Sequence, residues 1–186
     1  MKARSFFFAL AMFAAGSATA APDGSSGPAW GDFLTGFRQA AIPKQTVQWK
    51  HGGRPGDIVI ATSVRRLYYV NGDGTAIEYG VGVGRQGFTW SGVKIISQKR
   101  EWPDWTPPPQ MLKRRPDLPR HMKGGPDNPL GARAMYLGSS LSRIHGSNEP
   151  DTIGQAVSSG CIRMTNEDVV DLYNRVRVGT KVTVVR

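Results

Sequence analysis

From Asp57 onward the sequence is a succession of short β-favouring runs separated by turn-forming residues. The runs at 58–61, 66–70, 76–83 and 93–97 have the length and composition typical of strands. The segment Asn71-Gly72-Asp73-Gly74 separates two of them, and its residues tolerate the positive φ that tight hairpins require. The spacing predicts an antiparallel meander, with further strands at 134–137, 142–145 and 181–185.

One helix is expected shortly before the last strand. Thr165 or Asn166 can cap it, and the acidic Glu167 and Asp168 suit its first turn. An apolar face follows and ends before Gly179; its members are Val169, Val170, Leu172, Tyr173 and Val176. The pattern therefore predicts a mainly β domain, a mixed β-sandwich-like fold with one C-terminal helix before the last strand.

The start of the chain has the three-part layout of a secretory signal. Lys2 and Arg4 precede an apolar run at 6–15, and Ala18-Thr19-Ala20 offers a cleavage site. We expect a signal peptide at 1–20, a linker or N-terminal extension at 21–56 and the functional domain at 57–186. No later stretch is apolar enough for a transmembrane segment. The predicted location is the periplasm or cell envelope.

The chain is strongly basic, with a formal net charge of +10. Such a balance favours polyanionic partners, including nucleic acid, membrane surface or cell-wall polymer. Export argues against nucleic acid, and the basic residues are scattered without an aromatic-interleaved binding motif. An anionic envelope polymer is the better match.

The residues with chemical potential are concentrated between His145 and Cys161. Cys161 is the only cysteine of the chain and follows Gly160; His145 lies 16 positions upstream. A thiol is a useful nucleophile only as thiolate, which a nearby imidazole can generate. A buried, inert cysteine is the simpler interpretation of a lone thiol. The small residues before the sulfur clear space around it and favour a Cys–His acyl-transfer site.

This stretch resembles the catalytic signature of the L,D-transpeptidases, the YkuD-type family, in which His-Gly, a loop and S-x-G-C-[IV]-R follow one another. The matching residues are His145-Gly146 and Ser158-Ser159-Gly160-Cys161-Ile162-Arg163. The resemblance extends upstream to Gly124-Gly125-Pro126, Asn128-Pro129-Leu130-Gly131 and 134–137, and downstream to Asp168, Val169, Leu172, Tyr173, Val176, Gly179, Thr180 and Val182. Many members carry a second histidine where this chain has Ser159, so that position cannot supply a base here.

The resemblance implies a peptidoglycan L,D-transpeptidase. Cys161 would attack a tetrapeptide stem after its third residue, diaminopimelate, and release D-alanine, with His145 as the base. A backbone carbonyl near Gly146 would orient the imidazole. The acyl acceptor would be another stem, forming 3-3 crosslinks, or a lysine of an envelope protein. Independently of the family, backbone N–H groups around Ser159, Gly160 and Cys161 are expected to hold the oxyanion, since glycine permits close approach.

Three residues are candidate substrate contacts. Arg163 could hold a substrate carboxylate bidentately, and an ion pair with Asp168 or Glu167 is an equally good interpretation. Tyr136 could face the substrate or pack on the sheet. Trp105 belongs to a proline-rich excursion at 101–131, which contains eight of the thirteen prolines and resembles a lid loop. Packing of that loop onto the sheet is an equally good role for Trp105.

Two alternatives remain for the function. An L,D-carboxypeptidase would use the same residues with water as acceptor, whereas a non-catalytic wall-binding module would not need Cys161 and His145 together. A papain-like protease has its cysteine before its histidine, the reverse of the order here. We expect no cofactor and no metal site: Gly82 to Gly87 fits G-x-G-x-x-G but precedes a loop and strand instead of the helix that a dinucleotide fingerprint requires.

Overall fold

The structure is a computed structural model that describes residues 42–186. Within that range the strands are β1 (Gln45–Gln48), β2 (Ile58–Ala61), β3 (Arg66–Val70), β4 (Thr75–Gly80), β5 (Val83–Gly84), β6 (Gly92–Glu101), β7 (Arg133–Leu137), β8 (Arg143–His145), β9 (Ala156–Ser158), β10 (Ile162–Arg163) and β11 (Lys181–Val185). The α-helices are α1 (Pro109–Arg114) and α2 (Asn166–Arg175). The predicted signal peptide at 1–20 and residues 21–41 lie outside the described residues.

Nine strands form one mixed sheet in the order β1-β4-β3-β2-β11-β6-β7-β8-β10, and β5 pairs with β9 beside it. Strand β11 runs parallel to β2 and antiparallel to β6. The ten-residue β6 changes partners along its length: its first half pairs with β11, and after a register shift its second half pairs with β7. The sheet thus has a first half, β1-β4-β3-β2-β11 with the start of β6, and a second half, the end of β6 with β7-β8-β10. The two halves can curl around a common core.

The core is built from the residues that alternate inward along both halves of the sheet. In the first half Ile58 and Ile60 are fully buried, and in the second half Met135 and Ile144 are equally buried. All four belong to one continuous hydrophobic cluster. Side chains at the intervening positions point to the opposite face of each half, because successive side chains of a strand alternate.

Helix α2 packs on this core through Val169 and Leu172, both fully buried. The Thr165 side chain accepts a hydrogen bond from the backbone N–H of Asp168 at 3.1 Å and so caps the helix start. At the other end, Lys99 Nζ donates to the carbonyl oxygens of Tyr173 and Val176, each at 2.7 Å. A cation at the C-terminus satisfies carbonyls that have no partner within the helix and complements the helix dipole.

The predicted fold class is confirmed: the domain is mainly β, with one helix before the last strand. The expected hairpin at Asn71 to Gly74 joins the antiparallel strands β3 and β4. Strand β1 was not expected, since it lies inside the segment assigned to the linker; it pairs with β4 and extends the sheet. The short parallel pair β8 and β10 was also not expected.

The excursion at 101–131 folds as a loop that contains α1. Its two arms are joined at Trp105 and Met122, whose backbone N–H and C=O groups exchange hydrogen bonds of 2.8 Å. No helix among residues 42–186 is both long and apolar enough to cross a membrane.

Candidate active site

His145 ends strand β8 and is buried, with only 4% of its surface exposed. Its Nδ1 lies 2.6 Å from the carbonyl oxygen of Gly146. A carbonyl oxygen can only accept a hydrogen bond, so Nδ1 carries the proton in this contact. The neutral imidazole therefore keeps its lone pair on Nε2, which is the arrangement required of a general base.

The surroundings of His145 keep its imidazole neutral. Burial, the largest cause, and the positive charges of Arg163 and Arg143 lower the pKa of His145 from 6.5 to about 3. The Gly146 carbonyl acts in the opposite direction, since it stabilises the protonated ring. Near neutral pH His145 is consequently a proton acceptor and not the cationic half of a resting ion pair.

Gly146 is needed because the backbone approaches its neighbours too closely for any side chain. A Cβ at this position would overlap Asn166 Oδ1 and lie 3.1 Å from the backbone nitrogen of Ala132. Asn166 Oδ1 in turn accepts a 2.9 Å hydrogen bond from that same Ala132 N–H. The first helical residue of α2 therefore lies against Gly146, the carbonyl partner of His145, and holds the adjacent backbone at Ala132.

Cys161 lies immediately before β10, which runs parallel to β8 with Arg163 opposite His145. Alternation extended one residue back from β10 puts Cys161 on the same face as His145. The register places Cys161 level with Arg143, two residues before His145, so the cysteine lies diagonally across from the histidine on that face. Cys161 is partly exposed, and its Sγ donates a 3.6 Å hydrogen bond to the carbonyl oxygen of Leu141.

The turn before the thiol is held by Ser158, a residue that the sequence analysis did not select. Its buried hydroxyl donates to the carbonyl oxygen of Cys161 at 2.6 Å and accepts from the N–H of Gly160 at 3.2 Å. Gly160 has a φ of +104°, a conformation that favours glycine. Ser159, one of the predicted oxyanion positions, is exposed. The S-x-G-C signature could have pointed to this residue, since Ser158 is its first serine.

The N–H of Gly160 is engaged by Ser158 in this state, although it was expected to bind an oxyanion. Within residues 42–186 the backbone N–H of Cys161 makes no hydrogen bond. The N–H of Ser159 likewise makes none among these residues, so Ser159 and Cys161 keep the expected donors, and that of Cys161 belongs to the thiol-bearing residue itself.

A second support of the turn comes from residues that sequence reasoning also missed. The indole N–H of Trp90 donates to the carbonyl oxygen of Gly160 at 2.9 Å. The ammonium of Lys94 lies 4.1 Å from the centre of the Trp90 ring, and it donates to the hydroxyls of Ser140 at 2.8 Å and Ser142 at 3.3 Å. Those serines flank Leu141, the acceptor of the thiol.

Arg163 pairs with a different carboxylate from those anticipated. Its guanidinium donates to Glu149 at 2.8 Å and to the Thr152 hydroxyl at 3.4 Å, so the suggested pairing with Asp168 or Glu167 is wrong. Its Nε is buried and makes no hydrogen bond to the part of the chain that the structure describes. Glu149 is well exposed, with 60% of its side-chain surface accessible, so the pair can open towards a ligand.

Of the two other predicted substrate contacts, Tyr136 lies on the sheet and Trp105 lies in the loop at 101–131. Tyr136 lies opposite Arg143 on the neighbouring strand, and the guanidinium is 5.1 Å from the centre of its ring. Tyr136 therefore shares the face of His145. Trp105 is half-buried within the loop at 101–131, where its backbone pairs with Met122.

Taken together, a thiol at the start of β10 and a neutral imidazole at the end of β8 lie on one face, and neither the imidazole Nε2 nor the Cys161 N–H makes a hydrogen bond within residues 42–186. This arrangement suits nucleophilic acyl transfer. The family model of the L,D-transpeptidase catalytic domain, YkuD, matches residues 55–184, well over half of the chain.

The chain belongs to the L,D-transpeptidase catalytic domain family.

Relatives agree with this assignment. The probable L,D-transpeptidase ErfK/SrfK of Escherichia coli K12 is 39% identical over 137 residues, which cover 69% of this chain and 43% of that protein. A putative L,D-transpeptidase of Fuscovulum blasticum, from the ATP synthase subunits region, is 36% identical over 69% of this chain and 68% of its own length. The chain thus spans less than half of the length of the E. coli relative.

Solved structures share the fold. An L,D-transpeptidase from Mycobacterium smegmatis matches with a TM-score of 0.58 at 17% identity, over 72% of this chain and 60% of that one. A Brucella melitensis protein described as a probable carnitine operon oxidoreductase is 47% identical over 77% of this chain and 94% of its own, with a TM-score of 0.52. In our structure Gly82 to Gly87 is followed by a loop and β6, not by a helix whose N-terminus could bind a dinucleotide phosphate.

Proposed function

We propose that this protein is a peptidoglycan L,D-transpeptidase that transfers an acyl group through Cys161. His145 Nε2 removes the thiol proton as the sulfur attacks the carbonyl carbon of the third stem residue. The C–N bond to D-alanine breaks, and the imidazolium returns its proton to the leaving amine. The resulting thioester is resolved by an amine, either of a second stem peptide or of an envelope protein lysine. The tautomer and position of His145 carry this proposal.

The low pKa of His145 specifies how the thiol is activated. An imidazole whose pKa is about 3 is uncharged near neutral pH, so it accepts a proton during the reaction and does not carry one at rest. In the resting state the thiol donates to Leu141, so a rotation of the Cys161 side chain must bring the proton to Nε2. Proton transfer then accompanies attack on the carbonyl, and the N–H of Cys161 is the donor for the oxyanion.

Arg163 links substrate binding to this step. Its positive charge is one cause of the low pKa of His145, and its Nε has no partner among the described residues. Glu149 offsets that positive charge only weakly, because its carboxylate is exposed to water. A substrate carboxylate bound to Arg163 would offset the charge more fully. His145 would then become a stronger base when a substrate is bound.

The test is intact-protein mass spectrometry of the full chain after incubation with a purified disaccharide-tetrapeptide. Wild type should gain the mass of an acyl group and release D-alanine and a crosslinked dimer, whereas Cys161→Ala and His145→Gln should not. D-alanine with tripeptide as the sole product would identify an L,D-carboxypeptidase. If neither the peptide nor a carbapenem forms an adduct, the catalytic function is excluded and the non-catalytic wall-binding module is favoured.

The proposed substrate implies a place of action outside the cytoplasm. The predicted signal peptide and the excess of positive charge fit an exported protein at an anionic envelope. A fusion of alkaline phosphatase to the C-terminus should be active in cells. A fusion that lacks residues 1–20 should be inactive, and activity in both would contradict export through this signal.

A further inference from the structure

A groove of about 670 Å³ opens on the outer face of the first half of the sheet. Val59 and Thr183 form its floor, and Tyr68 stands beside them at the start of its wall, because Val59 is in register with both Thr183 and Tyr68. Their neighbours along the strands, such as Ile58 and Val182, point into the core. The core therefore separates this groove from the face that carries Cys161, and the groove is a distinct site.

Aromatic side chains form one wall of the groove. The ring centres of Trp49 and Tyr68 lie 5.0 Å apart with an interplanar angle of 37°, and His51 meets Trp49 edge-on at 4.9 Å. All three line the groove. Aromatic rings supply a large rigid surface with a polar edge, which suits a ligand that has both apolar and polar faces.

Trp49 also brings a hydrogen-bond donor to this part of the groove. Its Nε1 is shielded from water and has no acceptor within the described part of the chain. A buried N–H without a partner is unfavourable, because it loses its bond to water and gains none in return. A ligand oxygen would remove this cost once a small rotation of the indole turns its N–H towards the groove, since the atom is shielded in the present state.

The charges that border the groove are balanced. Asp57 pairs with Lys181 at 2.8 Å, and Glu78 lies 3.5 Å from Arg66 and accepts a 2.8 Å hydrogen bond from Gln45. Since each carboxylate has its own cation, the site does not demand a charged ligand. The carboxylate oxygens can still accept further hydrogen bonds from hydroxyl groups.

We propose that this groove binds the glycan strand of peptidoglycan through an N-acetylated sugar. The apolar face of a sugar ring packs on the Trp49–Tyr68 wall, hydroxyl groups donate to Asp57 and Glu78, and an acetamido carbonyl accepts from Trp49 Nε1. A volume of about 670 Å³ lies within the roughly 300–1,000 Å³ of small-molecule sites. The inference rests on the proposed function, since a glycan carries the stem peptides that Cys161 would use.

The direct test is calorimetric titration of the full chain carrying Cys161→Ala with a β-1,4-linked N-acetylglucosamine tetramer. This probe has no stem peptide, so its binding is independent of acyl transfer. Thr183→Trp, which fills the floor, should abolish binding. Trp49→Phe keeps the ring and removes the donor, and should weaken binding roughly threefold to tenfold. Trp102→Phe, at an exposed tryptophan outside the groove, is the matched control and should bind normally.

A second measurement separates this inference from the proposed function. In an otherwise wild-type chain, Thr183→Trp should leave acylation by a carbapenem and turnover of a soluble tetrapeptide unchanged, which also shows that the variant folds. Its activity on intact cell walls should fall. Tetramer binding that survives Thr183→Trp, or no binding to the Cys161→Ala protein, would overturn the proposal. So would a dimer that Thr183→Trp dissociates, because the groove would then belong to a second copy.

Discussion

Trp90 donates its indole N–H to the carbonyl oxygen of Gly160 at 2.9 Å, directly before the thiol-bearing residue. The contact joins residues 70 positions apart, and Lys94 lies over the face of the same indole ring. Gly160 is itself in a positive-φ conformation, so the turn is defined on one side by Ser158 and on the other by Trp90. The position of the sulfur therefore depends on a loop from a distant part of the sequence.

Trp90→Phe should slow acylation of Cys161 by a carbapenem roughly threefold to tenfold, because the ring remains but its hydrogen bond to Gly160 is lost. The rate is measured by intact-protein mass spectrometry under pseudo-first-order conditions. Trp102→Phe is the control, since 43% of the Trp102 surface is exposed. Equal acylation rates for Trp90→Phe and wild type, with unchanged unfolding free energy, would exclude Trp90 as a positioning residue.

Much of this architecture follows from local sequence signals. Strands β2, β3 and β11 lie where the β-favouring runs predict them, and Thr165 caps α2 as expected. The strands that escaped prediction are short: β10 has only two residues, and β1 is the polar segment Gln45–Gln48. Their pairing is decided by residues far along the chain, which periodicity within a short window does not report.

The candidate site divides in the same way. Cys161 and His145 stand out from residue type and the surrounding signature. The residues that support the thiol do not stand out. Trp90 donates to the backbone carbonyl of Gly160, and the thiol donates to the backbone carbonyl of Leu141. Each contact joins residues that are distant in sequence, and a backbone acceptor leaves no trace in residue type. The partner of Arg163 was misassigned for a related reason: Glu149 reaches it through the loop between β8 and β9, whereas Asp168 and Glu167 are merely near in sequence.

His145 should make the protein less stable in acid. Its pKa is about 3 when folded and 6.5 ordinarily, so below pH 6.5 the unfolded chain binds a proton that the folded protein does not. The stabilisation is complete above pH 6.5 and is lost as the pH falls towards 3, by up to about 1.4 kcal/mol per pH unit. Urea unfolding at several pH values measures this loss.

His145→Gln should remove that part of the pH dependence, so that between pH 7 and 5 it loses about 2 kcal/mol less unfolding free energy than wild type. Identical slopes for wild type and His145→Gln would mean that His145 is not held neutral by the fold.

Arg163→Gln should raise the pKa of His145, because it removes one of the two positive charges that lower it. The shift is measured by NMR titration of the imidazole. The same variant should raise KM for a tetrapeptide more than it lowers kcat if Arg163 binds the substrate carboxylate. Arg177→Gln, at an exposed arginine, is the charge-matched control. An unchanged His145 titration in Arg163→Gln would break the proposed link between substrate binding and base strength.

Adjacent serines provide the sharpest comparison at the nucleophile. Ser158→Ala leaves the buried N–H of Gly160 without its acceptor and the carbonyl of Cys161 without its donor. We expect the unfolding free energy to fall by about 1–3 kcal/mol and acylation to slow about tenfold as the turn loosens. Ser159→Ala removes an exposed hydroxyl and should change stability by no more than about 0.5 kcal/mol, with normal acylation.

Urea unfolding and carbapenem acylation of the two variants decide between a role in fold stability and a role in placing the thiol. A loss of stability in Ser158→Ala with full acylation would confine Ser158 to the first role. Slower acylation measured well below the unfolding transition supports the second, because the folded population is then the same in both variants. Equal behaviour of Ser158→Ala and Ser159→Ala would refute both, since only one of these hydroxyls bridges Gly160 and Cys161.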